Sequence, residues 1–209
     1  MGRSIAILTD FGHTDNYVGI MKGVIRKISP FADIIDLNHG IESGNIRSAA
    51  YNLESAYQYF PKNTIFLCVV DPGVGSTRKA VAIESEGFFF VAPDNGLLTP
   101  IIQKSKSNIT AVELTNKKFQ LDNRSSTFHG RDIFAPVAAH ISMKTELLEL
   151  GDVINIKNLV QLNDYIAKKN GNEITGNIVH KDKFGNLITD IPEDWVNKKK
   201  RSKDLSCRI

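Results

Sequence analysis

The sequence predicts an α/β domain, with a largely parallel sheet and flanking helices, followed by a smaller β-rich part. Three observations predict it. Between Ser4 and Val70, short apolar runs alternate with segments of helical period, the βαβαβ order of a parallel sheet. Each apolar run ends in a polar turn carrying Asp, Asn or His. Beyond Gly151-Asp152 the texture turns polar and Lys-rich, then returns to short strand-like runs.

Ser4–Thr9 is a buried strand leading into Asp10, Phe11 and Gly12. Asn16–Ser29 places Tyr17, Ile20, Met21, Val24, Ile25 and Ile28 at helical spacing. Thr14 or Asp15 is its expected cap and Pro30 its end. Asp33–Leu37 is the next strand. Asn45–Phe60 is a helix with Ala49, Ala50, Leu53, Ala56, Tyr57 and Phe60 inward, closed by Pro61. Thr64–Val70 is an apolar strand followed by Asp71-Pro72-Gly73-Val74-Gly75. Lys79–Glu84 and Phe88–Ala92 form a hairpin through Glu86-Gly87, and Asp94-Asn95-Gly96 is a turn. Leu97–Lys104 is a short helix and Ile109–Leu114 a strand. Ser125–Arg131 is a polar loop entering the Ala-rich helix Asp132–Met143. Glu173–His180 and Asn186–Ile191 are strands of the second part. The expected division is 1–158 as the α/β domain, 159–172 as a linker, and 173–209 as a β-rich domain with a basic tail.

Composition narrows the function classes. The 209 residues are 42% hydrophobic and 23% charged, an ordinary globular balance. Residues 198–209 carry six basic side chains and one acid, so the other 197 residues sum to −2. A near-neutral body gives no support to a nucleic-acid partner. No run approaches the ~20 apolar residues of a membrane span. The first strand begins at Ser4 without a leader-like stretch, so a cytoplasmic protein is expected. Cys68 lies in an apolar strand and Cys207 in the tail, which makes no disulfide framework.

In parallel sheets, ligands sit at the carboxyl ends of the strands, where Asp10, Asn38-His39 and Asp71 all fall. Asp10 suits either a turn carboxylate or a ligand for sugar hydroxyls or a metal. Asp15 reads as a helix cap, and His39 as a structural loop histidine. The Asp71–Arg78 loop lacks the Gly-Lys-Ser/Thr ending of a phosphate-binding loop, so ATP hydrolysis is excluded; an ion pair of Asp71 with Arg78 is the simpler reading. His129 precedes a helix in Ser125-Ser126-Thr127-Phe128-His129-Gly130-Arg131-Asp132, a segment that serves either as a cap or as part of a site. The acids are too sparse for a divalent-cation cluster, and no His–Glu spacing or Cys pair supports zinc, so no metal is expected.

Taken together, these segments resemble the S-adenosyl-L-methionine (SAM) hydroxide adenosyltransferase family, the SAM hydrolases, relatives of the fluorinases and chlorinases. The resemblance lies in Leu8-Thr9-Asp10-Phe11-Gly12, Asp15-Asn16-Tyr17-Val18-Gly19 and Met21-Lys22-Gly23. It continues in Val69-Val70-Asp71-Pro72-Gly73-Val74-Gly75 with Arg78, and in Ala92-Pro93-Asp94-Asn95-Gly96-Leu97-Leu98-Thr99. It ends with Thr127-Phe128-His129-Gly130-Arg131-Asp132 and Phe184-Gly185-Asn186. The resemblance implies hydrolysis of SAM to adenosine and L-methionine, by in-line attack of water or hydroxide on the ribose 5′ carbon, with no cofactor. It implies Asp71, Arg78 and His129 as the catalytic set. Asp71 and His129 would both accept hydrogen bonds from the water, with either as base. Asp10 would hold the ribose hydroxyls, and Asp15 and Phe128 would line the substrate site. Phe184 would stack on adenine, and Asn186 would hydrogen-bond it. It further implies a homotrimer, each site lying between the α/β domain of one subunit and the β-barrel domain of the next.

Two departures bear on function. Asp71, His129 and Gly130 stand where the fluorinase has a halide pocket, and a carboxylate there repels fluoride or chloride. A SAM-dependent halogenase is therefore the least favoured reading. After Trp195 the chain turns to Asn197-Lys198-Lys199-Lys200-Arg201, where family members continue into the rest of a barrel. A truncated barrel with weak or absent hydrolysis is expected from this, and a non-catalytic SAM- or adenosine-binding protein is the alternative.

Overall fold

A computed structural model describes residues 2–163, 165–171 and 173–196. The basic run and Cys207 lie outside the described residues. A division falls between Asn163 and Asp164, and each part is described by itself.

In the first part, the two-residue period of the strands sorts apolar side chains onto two faces. Along β1 (Ile5–Thr9), Ile5 and Ile7 join one core layer, while Ala6 and Leu8 join the other. β3 (Ile65–Val69) repeats this, with Ile65, Leu67 and Val69 opposite Phe66 and Cys68. Both strands are buried on both faces, which is why they read as continuous apolar runs. Helices α1 (Tyr17–Ile28) and α4 (Ala135–Ser142) supply Met21, Ile25, Val137 and Ile141 to the first layer. Helices α2 (Ile46–Ala56) and α3 (Thr99–Lys104) supply Ala49, Leu53 and Ile101 to the second.

The sheet also contains β2 (Ile34–Asn38), β4 (Ala80–Ser85), β5 (Phe88–Pro93), β6 (Thr110–Glu113) and β7 (Asp152–Val153). Its order is β2-β1-β3-β5-β4-β6-β7. Strands β2, β1, β3 and β5 run parallel, whereas β4, β6 and β7 add antiparallel ladders, so the sheet is mixed. The β4–β5 hairpin turns through Glu86 and Gly87 at φ 51° and 76°, the doubly left-handed pair of a tight hairpin turn. From β1 the chain passes to β2 on one side and later to β3 on the other. The reversal of winding leaves a crevice at the carboxyl ends of β1 and β3.

Local elements differ from the expectations in instructive ways. Asn16, rather than Thr14 or Asp15, occupies the cap of α1, and it makes no side-chain cap bond. The second helix stops at Ala56 and tightens into a 3₁₀ turn, Tyr57–Tyr59, because the residue before Pro61 is held out of helical geometry. Asn45 caps it, its Oδ1 accepting from Ser48 N–H at 2.9 Å. The helix expected from Asp132 begins instead as a π-helical turn, Gly130–Phe134, that runs into α4.

In the second part, β8 (Lys168–Asn170) pairs with β9 (Glu173–Thr175), and β10 (Ile178–Lys181) pairs with β11 (Leu187–Thr189). These are two small antiparallel sheets rather than a closed barrel, as the expectation of an incomplete barrel allows. Strands of three or four residues, paired only as hairpins among the described residues, have too little ladder to close one. No described helix is long and apolar enough to cross a membrane.

Candidate active site

Asp10 follows β1 and Asp71 follows Val70 at the end of β3, so the two carboxylates flank the crevice. A cleft of about 410 Å³ lies there, lined by Asp10, Phe11, Asp15, Tyr17, Gly44 and Asp71 among others. A larger cavity of about 500 Å³ includes Arg3, Lys62 and Lys144 in its lining. Two of its cations are engaged with the protein: Arg3 donates to the Ile141 carbonyl at 3.1 Å and Lys62 to the Glu86 carbonyl at 2.7 Å. Among the described residues, its lining has no acid. The groups suited to chemistry converge on the smaller cleft.

Beside that cleft, Asp71, Arg78 and His129 form one hydrogen-bonded set. Arg78 Nε lies 3.0 Å from both oxygens of Asp71, and Arg78 Nη2 also donates to Asp71 Oδ2. The same Nη2 donates to His129 Nδ1 at 2.8 Å. The Arg78 and Asp71 side chains are 9% and 5% exposed, so this ion pair is shielded from solvent. The Arg78 guanidinium also sits 5.2 Å from the Phe134 ring centre. Burial, and then the Arg78 charge, push the His129 imidazole below the ordinary histidine value, against the pull of Asp71 and Asp132. A guanidinium only donates, so a neutral His129 must accept at Nδ1 and carry its proton on Nε2.

The two loops that bring these residues together are wedged against each other. Gly75, at φ 80°, approaches the Ser126 carbonyl so closely that a Cβ would lie 2.6 Å from that oxygen. Past His129, buried Asp132 receives Arg131 at 2.5 and 3.0 Å and the Ser125 N–H at 2.7 Å, which fastens the loop at both ends. The π-helical turn widens the backbone just after His129, which caps its start, a common feature of functional sites.

Phe128 packs edge-on against Tyr17 and Phe11, with centroids at 5.1 and 5.9 Å. Tyr17 shares the helical spacing of the apolar residues of α1. It is nonetheless 44% exposed, because this aromatic group lies at the cleft. Asp10 Oδ2 accepts the Gly44 N–H at 2.8 Å. His39 is structural: buried, it bridges Thr9 Oγ1 at 2.8 Å and Asp36 at 2.9 Å, and its carbonyl accepts from Gly12 N–H. Burial raises Asp36, but hydrogen bonds from His39 and Lys22 outweigh it and hold the carboxyl below its ordinary value.

The structure thus gathers Asp10, Asp15 and Asp71 at one cleft, joins Asp71 to Arg78 and His129, and places Phe128 against two cleft residues. Phe184 and Asn186 belong to the second part, on the β10–β11 turn, with Phe184 79% exposed. Phe11, Ser43, Gly44 and Pro72 were missed as cleft residues. Adjacency to Asp10 and Asp71 marks Phe11 and Pro72 in hindsight, but nothing local marks Ser43-Gly44. Among the described residues, no group of three or more His, Cys, Asp or Glu is arranged to hold a metal.

A crevice flanked by two carboxylates, with a shielded Asp–Arg–His set beside it, defines an α/β protein whose strand-end cleft is chemically suited to a small polar ligand. The chain belongs to the SAM hydroxide adenosyltransferase family: the model for that family's N-terminal domain matches residues 5–151. It is 37% identical over 183 residues to an (R)-S-adenosyl-L-methionine hydrolase of Salinispora tropica, covering 88% of this chain and 70% of that one. A fluorinase of Actinoplanes sp. is more distant, 28% identical, with 90% and 71% covered. A crystal structure of an uncharacterized conserved protein from Thermotoga maritima superposes with a TM-score of 0.85 at 41% identity, covering 91% and 72%.

Proposed function

We propose that this chain hydrolyses SAM to adenosine and L-methionine. Membership of the family and the names of its relatives support the reaction. The observation that carries the chemistry is the Asp71–Arg78–His129 set beside a cleft with three carboxylates. SAM carries a sulfonium cation, so Asp10, Asp15 and Asp71 favour its entry. Water attacks the ribose 5′ carbon in line, the carbon–sulfur bond breaks, and its electron pair goes to sulfur. Methionine therefore leaves with a neutral thioether, and that departure needs no general acid. The water must lose a proton.

The hydrogen bonds support a division of roles. Asp71 accepts the water proton, because His129 spends its basic nitrogen on Arg78. His129 Nε2–H donates to the water oxygen and aims it. Arg78 orients both and favours hydroxide by its charge. Asp10 takes the ribose diol, a carboxylate suiting two adjacent hydroxyls. Asp15 and Phe128 line the pocket, and Phe184 and Asn186 take adenine by stacking and amide bonding. The carboxylate at the nucleophile position selects water over halide anions. The family resemblance also supports a homotrimer, which light scattering tests.

The experiment is incubation of the chain with SAM in ¹⁸O-labelled water. Adenosine carrying ¹⁸O at the 5′ oxygen is expected. Bound but unchanged SAM, or a 5′-chloro nucleoside formed in chloride, sinks the proposal.

A further inference from the structure

The turn between β10 and β11 is built around one carboxylate. Asp182 Oδ1 accepts the backbone N–H groups of Phe184 at 2.9 Å and Asn186 at 2.8 Å. Its Oδ2 accepts the Asn186 side chain at 2.7 Å. The backbone closes the same loop: Asp182 N–H donates to the Asn186 carbonyl and Gly185 N–H to the Asp182 carbonyl, both at 3.0 Å. An ionised carboxylate only accepts, so the amide atom facing it must be Nδ2. The Asn186 amide, ahead of the backbone bonds, holds the Asp182 carboxyl below its ordinary value, so it is ionised at neutral pH.

With Nδ2 turned to Asp182, Asn186 has its carbonyl oxygen and its second N–H left for a ligand. That edge complements a 6-aminopurine, whose amino group donates to the oxygen while N7 accepts from the N–H. A 6-oxopurine presents two acceptors along the same edge, so its oxygen meets the amide oxygen. Phe184, in the same turn, offers an exposed ring for either base.

We propose that Asp182 is a specificity-determining positioning residue, which selects a 6-amino over a 6-oxo purine by fixing which end of the Asn186 amide faces the base. The proposal rests on the reading of Phe184 and Asn186 as adenine contacts.

Asp182→Asn separates this role from a purely structural one. The amide oxygen still accepts the two backbone N–H groups, so the turn is kept, but an N–H₂ group replaces Oδ2. Asn186 then turns its oxygen inward and its N–H₂ outward. Calorimetry on the full chain with adenosine and inosine reads the outcome. Wild type should favour adenosine by about tenfold or more. Asp182→Asn should abolish or invert that ratio, and Asn186→Ala, which leaves Asp182 in place, should erase it. Phe184→Ala should weaken both nucleosides alike and keep the ratio. If Asp182→Asn keeps the wild-type ratio or weakens both nucleosides equally, or if Asn186→Ala keeps it, the proposal is overturned while SAM hydrolysis stands. A wild-type chain that binds no adenosine overturns the reading of the site together with it.

Discussion

Arg78 Nη2 donates to His129 Nδ1 at 2.8 Å, and this bond leaves Nε2 as the proton-bearing nitrogen of the neutral imidazole. The outward nitrogen is a donor, so in the proposed mechanism His129 aims the water and Asp71 takes its proton. His129→Gln preserves an N–H donor, and it should lose no more than about tenfold in kcat. Asp71→Asn should lose ~10²–10⁴, the range for removal of a general base. Single-turnover rates with SAM, alongside a thermal melt to verify folding, make the comparison. A larger loss in His129→Gln than in Asp71→Asn reverses the assignment.

The pH profile follows from the same arrangement. Burial and the Arg78 charge hold His129 below the ordinary histidine value of 6.5, so the fold favours the neutral ring. The working tautomer therefore persists as pH falls through 6.5 and is lost only further down, when Nδ1 is protonated and opposes Arg78. The acid limb of kcat should lie below 6.5 and move in His129→Gln. A limb above 6.5 that vanishes in that variant contradicts the argument.

Gly75→Ala should damage catalysis from a distance. Its φ of 80° disfavours a side chain, and a Cβ would meet the Ser126 carbonyl at 2.6 Å. The loops carrying Arg78 and His129 must then separate. We expect a stability loss of about 1–3 kcal/mol, with kcat falling more than KM rises. Differential scanning calorimetry and steady-state kinetics test the two parts. Unchanged kcat shows that this contact does not set the Arg78–His129 geometry.

Asp10→Ala should weaken nucleoside binding by removing charge-assisted hydrogen bonds of roughly 1.5–3 kcal/mol each, before compensation. Titration with adenosine and 2′-deoxyadenosine isolates the diol. Wild type should prefer adenosine, and the variant should bind the two alike. Equal binding of both by wild type removes Asp10 from ribose recognition.

Sequence alone determined the layered α/β core. Apolar period in β1, α1 and β3 is a local property, set by which side chains must leave water, and it is readable from neighbours a few residues apart. The strand-end positions of Asp10 and Asp71 followed from the same pattern. The Asp–Arg–His set was reachable only as a resemblance, because Arg78 and His129 lie 51 residues apart and no local rule pairs them. Tertiary structure alone decided that β5 joins β3 and makes the sheet mixed, since a hairpin's two strands compete equally for that edge until the rest of the sheet is placed. It also decided that Tyr17 faces the cleft, because helical spacing gives the side of a helix and not where the sheet beneath it ends. The tautomer of His129 belongs to the same category, because it is set by a donor that only the folded chain brings within hydrogen-bond reach. The orientation of the Asn186 amide is a local matter, set by Asp182 within the same turn.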